Sequence, residues 1–311
     1  MIDFHCDVLC KLLLDKKIRF RNGKTGDLDV TYERLRESGT LLQTFAVYLP
    51  PDKAGTIDPI LESVDLFYEQ ILTCEGMMLV TSVADLEACL MSGQTGALLS
   101  LEGVSGLQGR LSMLRLLYRL GVRAAGLTWN HANWAADGVM EPRGAGLTSE
   151  GQAFVSACNE LGIIVDVSHL SEKAFWDVAA LSTRPIIASH SNARAECDHP
   201  RNLDDRQVKA LIQGNGRIGL TYVPWFVTTR PQAAISDLLM HVDHVCALGG
   251  EKHIMLGSDF DGIDRYMTDL THPGEVIHLK EALLKRYSAT QVAGFLQDNA
   301  LAFLRDNLPV T

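Results

Sequence analysis

Apolar runs alternate with amphipathic segments along most of the chain, and this alternation predicts parallel strands separated by helices. The runs are almost continuously apolar, as expected for strands that are covered on both faces. Between them, apolar residues recur at the helical period, for instance at Ile60, Val64, Phe67 and Ile71. The predicted strands of the main sheet cover residues 2–9, 44–49, 96–103, 123–129, 163–169, 185–190, 218–223 and 253–259.

The predicted helices fill the intervals between these strands. Eight strands with intervening helices in 311 residues predict an α/β fold, a (β/α)8 barrel that forms a single domain over residues 1–311. A doubly wound sheet is the alternative, but it requires a glycine-rich phosphate turn after an early strand, which the sequence lacks. The helices are predicted over 32–38, 57–74, 85–91, 110–120, 149–161, 172–181, 204–213, 232–248, 275–285 and 289–304.

Composition narrows the possible partners. The formal net charge of −10 argues against nucleic acid or an anionic membrane as a partner, since both attract basic proteins. No apolar run approaches the roughly 20 residues needed to cross a bilayer, and the first strand starts so early that we expect no cleaved leader. Seven cysteines without a C-x-x-C spacing predict reduced thiols and a cytoplasmic location.

The first predicted strand carries a polar pair, His5 and Asp7. Residues two apart on a strand point to the same side, so the two side chains are expected to lie together. An imidazole and a carboxylate suit zinc or another divalent metal. The alternative is a hydrogen bond between the two that satisfies two buried polar groups.

Further polar residues end other predicted strands, namely Glu102, His169, His190 and Asp259. A barrel brings its strand ends together at one rim, where its chemistry is found. This set suits two divalent ions, with Glu102 as the bridge, because a carboxylate has two oxygens to offer. The first ion is expected on His5 and Asp7, the second on His169 and His190, and a hydroxide between them suits hydrolysis. Asp259 is then placed to orient that water or accept its proton.

Short segments spread over nearly the whole chain carry a family resemblance. They are Asp3-Phe4-His5-Cys6-Asp7, Ser100-Leu101-Glu102-Gly103, Val165-Asp166-Val167-Ser168-His169, Ala188-Ser189-His190-Ser191-Asn192-Ala193, His199-Pro200-Arg201-Asn202-Leu203 and Gly257-Ser258-Asp259-Phe260-Asp261-Gly262. With these segments in this order, the chain resembles the membrane dipeptidase (renal dipeptidase) family, metallopeptidase family M19, among the amidohydrolase-like barrels.

The resemblance implies a binuclear zinc dipeptidase and assigns a role to each matching residue. It implies that His5, Asp7 and Glu102 bind one zinc ion, and that Glu102, His169 and His190 bind the other. It places Arg201 on the substrate carboxylate and Asp259 beside the bridging water. It also suggests a homodimer, and a dipeptide as the substrate.

One position departs from the family pattern. Family members from mammals carry a substrate-contacting histidine in a Leu-Thr-His segment, where this chain has Leu127-Thr128-Trp129. Trp129 therefore takes the place of that histidine. His131 is the candidate to reach the same space from the following loop, and an exposed loop histidine is the alternative.

Two other functions stay open on the residues alone. One is a different metal-dependent amidohydrolase that acts on a lactone, a cyclic amide or a phosphoester, because one fold hosts many reactions. The other is a non-catalytic metal-binding barrel, against which the full ligand set argues.

Asp166, which lies three positions before His169, is predicted to face the helix layer.

Overall fold

Eight parallel strands close into a barrel in the computed structural model, which describes residues 1–24 and 26–311. The barrel order follows the chain from β1 to β9, with β2 paired to β4 and β9 paired back to β1. The strand β3 lies outside the barrel and pairs with the start of β4. This architecture confirms the predicted (β/α)8 barrel. The strands are β1 Ile2–Asp3, β2 Leu42–Tyr48, β3 Met77–Leu79, β4 Thr95–Glu102, β5 Val122–Gly126, β6 Ile164–Asp166, β7 Ile187–Ala188, β8 Arg217–Leu220 and β9 Ile254–Leu256.

The helices surround the barrel and mostly begin and end where the sequence predicted. Thr148 accepts a hydrogen bond from the Gly151 N–H at the start of α6, and Gly162 ends that helix in the left-handed region, a conformation that glycine adopts at little cost. The helices are α1 Val8–Leu14, α2 Tyr32–Glu37, α3 Asp58–Leu66, α4 Val83–Ser92, α5 Leu111–Arg119, α6 Ser149–Leu161, α7 Glu172–Leu181, α8 Asp205–Gln213, α9 Pro224–Val227, α10 Ile235–Ala247, α11 Val276–Leu284, α12 Ala289–Ala293 and α13 Asn299–Asn307.

Several predicted strands are longer than those of the structure, among them the one that becomes β6, and the helices α1 and α9 were not predicted. The first strand is shorter than predicted, because Val8 starts the helix α1 and Asp7 lies just before it. The predicted C-terminal helix is interrupted by a π-helical segment, Gly294–Asp298. A second π-helical segment, Phe67–Ile71, extends α3. Within residues 1–24 and 26–311, no helix combines the length and the apolar character that crossing a membrane requires.

The two largest hydrophobic clusters lie on either side of the strands. The larger cluster packs the helices against the barrel, and the smaller one contains Ile2, Leu98 and Met255 from the strands with Phe303 and Leu304 from α13. The smaller cluster packs the strands against the last helix. The polar residues predicted for the site lie at or just after the carboxyl ends of the strands, where barrels of this type place their chemistry.

Candidate metal centre and active site

The predicted site residues converge at the carboxyl end of the barrel. They follow or end their strands: His5 after β1, Glu102 at the end of β4, His169 after β6, His190 after β7 and Asp259 after β9. Each strand is held in register by its neighbours, so the barrel fixes the backbone positions from which these side chains project. His5, Asp7, Glu102, His169 and His190 are all buried, with at most 9% of each residue exposed.

Two of these residues sit on unusual backbone. His169 and Asp259 have φ angles of 69° and 66°, in the left-handed region that costs non-glycine residues about 1–3 kcal/mol each. Such conformations persist only where the surrounding structure imposes them. Both residues turn the chain at the strand end, and the turn directs their side chains to the rim.

Glu102 lies between the histidines and offers one oxygen to each side. Its Oε2 atom is 3.4 Å from His5 Nε2, and its Oε1 atom is 2.8 Å from His169 Nε2 and 3.6 Å from His190 Nε2. A carboxylate that presents its two oxygens to different groups of ligands has the arrangement needed to bridge two cations.

The half of the site around His5 contains polar atoms without partners. His5 Nε2 lies 3.5 Å from Asp7 Oδ2 and 3.7 Å from Asp259 Oδ1. Among the described residues, neither His5 Nε2 nor Asp7 Oδ1 has a hydrogen-bond partner, although both atoms are buried. Buried polar atoms are normally satisfied, so a cation held by these atoms fits the site.

The half around Glu102 Oε1 brings two imidazoles together. His169 Nε2 and His190 Nε2 are 2.8 Å apart, while His169 Nδ1 contacts the Asn130 Oδ1 atom at 2.8 Å. Because an amide oxygen only accepts hydrogen bonds, His169 carries its proton on Nδ1 and turns an unprotonated Nε2 to Glu102. A neutral imidazole nitrogen facing a carboxylate is a donor set for a divalent metal.

The donors predicted for the second ion form a compact set, since Glu102 Oε1, His169 Nε2 and His190 Nε2 lie 2.8–3.6 Å from one another. His5 takes part in two further groups of donor atoms that could hold a metal ion, one with Glu102 and His190 and one with Asp7 and Asp259. All five predicted ligands are therefore brought together, and Asp259 lies within reach of His5 and Asp7, the residues predicted to hold the first ion.

Burial acts to lower the pKa values of all three histidines, and the neighbouring carboxylates oppose this effect at His5 and His169. Burial lowers the pKa of His169 to about 4, helped by the Arg201 cation, and lowers that of His190 well below its usual value, helped by His5. Both rings are thus neutral at pH 7, as metal ligands must be. Burial also disfavours a charge on His5, but Glu102 and Asp7 outweigh it and raise the pKa of His5 well above its usual value.

The carboxylates crowd one another. Burial raises the pKa of Asp7, and the negative charge of Glu102 adds to this rise. Burial also raises the pKa of Asp259 well above its usual value, with further contributions from Asp7 and Glu102 against the lowering effect of His5. Three acidic groups in a buried site repel one another unless cations lie among them, which is a second reason why metal ions fit here.

Arg201 lies beside these groups and is itself buried, with 4% of the residue exposed. Its Nη2 atom donates to the His190 carbonyl at 3.3 Å, its guanidinium lies 5.4 Å from the centre of the Phe226 ring, and its Nε atom has no partner among the described residues. Burial lowers the pKa of Arg201 to about 10, although Asp259 opposes this effect. It remains a cation at neutral pH.

Trp129 and His131, the two residues considered in place of the family's substrate-contacting histidine, lie in different surroundings. Trp129 is half-buried, with its ring centre 5.2 Å from that of Tyr48 and 6.3 Å from that of His169. Tyr48 is the register partner of Glu102 on the neighbouring strand, so this aromatic pair borders the site. His131 is exposed and makes no hydrogen bond in residues 1–24 and 26–311.

Sequence reasoning missed three residues around the histidines, namely Asn130, Ser189 and Asp166. The prediction that Asp166 faces the helix layer is wrong: its carboxylate accepts hydrogen bonds from the Ser168 and Ser189 N–H groups and from the Ser189 hydroxyl. The prediction assumed that strand parity continues to His169, whereas β6 ends at Asp166. An acidic residue within an apolar run was the available signal.

Comparisons with known proteins agree with this geometry. A sequence model of the membrane dipeptidase family (peptidase family M19) matches residues 1–308. Dipeptidase aclJ of Aspergillus oryzae is 31% identical over 293 residues, which are 89% of this chain and 69% of that protein. The crystal structure of dipeptidase AC, a metallopeptidase of family M19, superposes with a TM-score of 0.91 and 27% identity, over 99% of this chain and 98% of that one.

A second solved structure matches nearly as well. A metallopeptidase from Rhodobacter sphaeroides, bound to a phosphinate mimic of the dipeptide L-Ala-D-Ala, has a TM-score of 0.89 and 25% identity over 99% of this chain and 98% of that one. The match extends over the whole barrel and includes every strand that supplies a site residue. The chain therefore belongs to the membrane dipeptidase family, peptidase family M19.

Proposed function

We propose that this metallodipeptidase cleaves dipeptides with two divalent metal ions, most readily zinc, held by the buried donors at the barrel rim. The observation that carries the proposal is the position of Glu102, whose two oxygens face different groups of imidazole nitrogens. The partnerless His5 Nε2 and Asp7 Oδ1 atoms support it. Bound ions of this kind lower the pKa of a shared water and polarise the scissile carbonyl.

The donor set assigns residues to the two ions. We propose that His5, Asp7 and Glu102 hold the first, and that Glu102, His169 and His190 hold the second. Imidazole and carboxylate ligands suit zinc, and also manganese or cobalt. Both His169 and His190 are neutral at pH 7, which favours metal binding because no proton has to leave the ring first.

Two further residues act on the substrate and on the proton. Asp259 is a carboxylate with a raised pKa beside His5, and we propose that it accepts the proton of the attacking water. Arg201 is a buried cation without an acidic partner in the described residues, and we propose that it binds the free carboxylate of the dipeptide through parallel hydrogen bonds. This second contact would select substrates with a free carboxyl terminus close to the scissile bond.

The proposal extends to substrate stereochemistry, quaternary structure and location. The Rhodobacter sphaeroides relative binds a mimic of L-Ala-D-Ala, so a D-residue at the carboxyl-terminal position is included in the proposed range. A homodimer and a reducing cytoplasm are also part of the proposal. Seven unpaired cysteines support the second of these, since structural disulfides are typical of oxidising compartments.

The test combines metal analysis with hydrolysis by the purified full chain. We expect about two equivalents of divalent metal, hydrolysis of L-Ala-L-Ala and L-Ala-D-Ala, loss of activity on chelation and its return with zinc. Hydrolysis that survives complete metal removal would overturn the metal mechanism. A metal-loaded protein that cleaves lactones or phosphoesters but no dipeptide would instead make it another amidohydrolase.

A further inference from the structure

A buried chain of hydrogen bonds lies behind the His190 ring. His190 Nδ1 contacts Ser189 Oγ at 2.7 Å, and Ser189 Oγ contacts Asp166 Oδ2 at 2.5 Å. All three residues are buried, with 8% or less of each exposed. Bulk water is therefore kept from these contacts, and each group depends on the others for its hydrogen bonds.

The chemistry of these groups gives the chain a direction. The Asp166 carboxylate only accepts hydrogen bonds, and the Ser189 hydroxyl has a single hydrogen to donate. If that hydrogen goes to Asp166, the Ser189 oxygen is left to accept from His190, and the ring must carry its proton on Nδ1. The unprotonated Nε2 then lies 3.6 Å from Glu102 Oε1 and 2.8 Å from His169 Nε2, which is also unprotonated, so the two lone pairs converge where one cation would be held.

We propose that Asp166 and Ser189 are positioning residues that hold His190 in the Nδ1–H tautomer, so that its Nε2 lone pair is available to a metal ion. The inference rests on the proposed function in taking His190 as a ligand. It adds a carboxylate–serine–histidine relay to the site. Metal-bound histidines commonly have an acceptor behind the ring, and removing it typically costs about 10- to 100-fold in metal affinity.

Asp166 is anchored so that its orientation is fixed. Its Oδ1 atom accepts from the Ser168 N–H at 3.0 Å and from the Ser189 N–H at 2.9 Å. These two backbone donors come from the ends of β6 and β7, so the carboxylate spans the neighbouring strands that supply His169 and His190. Only Oδ2 is left to face the Ser189 hydroxyl.

The anchoring makes Asp166→Asn a sharp test. The two backbone N–H groups require an acceptor, so the amide oxygen of the variant stays beside them and its NH2 group faces Ser189. That NH2 group donates to Ser189 Oγ, and the serine hydrogen turns towards His190 Nδ1 at 2.7 Å, which is a much nearer acceptor than Ser168 Oγ at 3.4 Å. The ring proton is then forced onto Nε2, the tautomer that cannot bind a metal there. An Asp-to-Asn change behind a catalytic histidine is known to act in this way elsewhere.

The tautomer is read in the metal-free protein with 15N-labelled histidine, by long-range proton–nitrogen NMR spectra in which a His190→Gln variant assigns the ring. Zinc affinity is measured separately by competition with a chromophoric chelator. Ser168→Ala is the control: the Ser168 hydroxyl accepts from the His190 backbone N–H and lies 3.4 Å from Ser189 Oγ, but it does not contact the His190 ring, so its removal leaves the donors and acceptors of the relay in place.

We expect Nδ1–H in the wild type and in Ser168→Ala, Nε2–H in Asp166→Asn, and about 10- to 100-fold weaker zinc binding in Asp166→Asn alone. An Nε2–H ring in the wild type, or an unchanged tautomer in Asp166→Asn, would overturn the relay. If Asp166→Asn does not fold, Ser189→Ala gives the same decision: both tautomers are expected, and a pure Nδ1–H ring contradicts the inference.

The two readouts separate this inference from the proposed function. A wild-type protein that binds no zinc would refute the metal mechanism, and the spectra would still decide whether Asp166 and Ser189 select the tautomer. Conversely, full metal binding with an unaffected tautomer in Asp166→Asn would leave the proposed function standing and remove the relay.

Discussion

Replacing Arg201 with alanine should remove most of the enzyme's preference for a free carboxyl terminus. The guanidinium is buried, its Nε atom has no partner in the described part of the chain, and its direct contacts are the His190 carbonyl and the Phe226 ring. The nearby acidic residues Asp204 and Asp205 have other partners: Asp204 caps α8 and pairs with Arg206, and Asp205 pairs with His244. The positive charge of Arg201 is thus left for a ligand.

The magnitude follows from the cost of breaking a buried charge pair. Truncating one partner of such a pair costs about 2–5 kcal/mol. At about 1.4 kcal/mol for each factor of ten, Arg201→Ala should lower kcat/KM for a dipeptide by roughly 30-fold to several thousand-fold. Metal content should not change, because a guanidinium is not a ligand for these ions.

The assay compares a free dipeptide with its carboxyl-terminal amide on each protein. Arg201→Met is a second variant that keeps more of the side-chain volume. The control is Arg206→Ala, which removes an exposed arginine in the first turn of α8 and its salt bridges to Asp204 and Glu172. We expect the wild type to cleave the amide poorly, the Arg201 variants to lose rate on the free dipeptide, and the control to behave as the wild type does.

Equal losses on the two substrates would refute the carboxylate contact. Thermal unfolding provides an independent criterion, because a buried charge without a partner does not stabilise the fold. The melting temperature of Arg201→Met should therefore equal or exceed that of the wild type. A large decrease would show that Arg201 holds the loop together and acts on the substrate only indirectly.

Three further changes test the metal centre. Glu102→Gln should reduce metal content at both sites, whereas the control Glu160→Gln, on the exposed face of α6, should not. If elemental analysis finds both sites of Glu102→Gln fully occupied, Glu102 does not bridge the two ions. Gly262→Ala should impair metal binding with the fold retained, because its Cβ would overlap the Asp7 and Asp259 carboxylates, whereas Gly55→Ala meets open space; equal metal content in the two would contradict this. In the metal-free protein, the pKa of His169 of about 4 lies below the unfolded value of about 6.5, so its contribution is present above pH 6.5 and lost as the pH falls towards 4. The difference in unfolding free energy between wild type and His169→Gln should shift against the wild type across that window in urea titrations, and a constant difference would argue against it.

Much of the architecture was predictable because its signals are local. The helices α6 and α7 begin and end where the periodicity predicted, since capping residues and glycine act within one turn. Continuous apolar runs identified the barrel strands, and the polar residues that end them identified His5, Glu102, His169 and His190. A strand that is buried on both faces requires a continuous apolar run. Polar residues that end several such strands indicate a site, because a barrel brings its strand ends together at one rim.

The positions of Asp7 and Asp166 were decided by tertiary structure. Asp7 was expected on a strand, yet the chain turns into α1 there, and the carboxylate still reaches His5. Asp166 was assigned to the wrong face because strand parity holds only while the strand lasts. Where the backbone leaves a strand, the direction of a side chain depends on neighbours far away in sequence.

The sequence by itself determined the fold class, the family and the residue types at the rim. The tertiary structure alone decided that Glu102 offers one oxygen to each group of histidines, that Arg201 is buried without an acidic partner, and that Asn130 and Ser189 contact the ring nitrogens. The physical reason is one of range: local patterns depend on neighbours within a few residues, whereas hydrogen bonds and charges at the site join segments that only the closed barrel brings together.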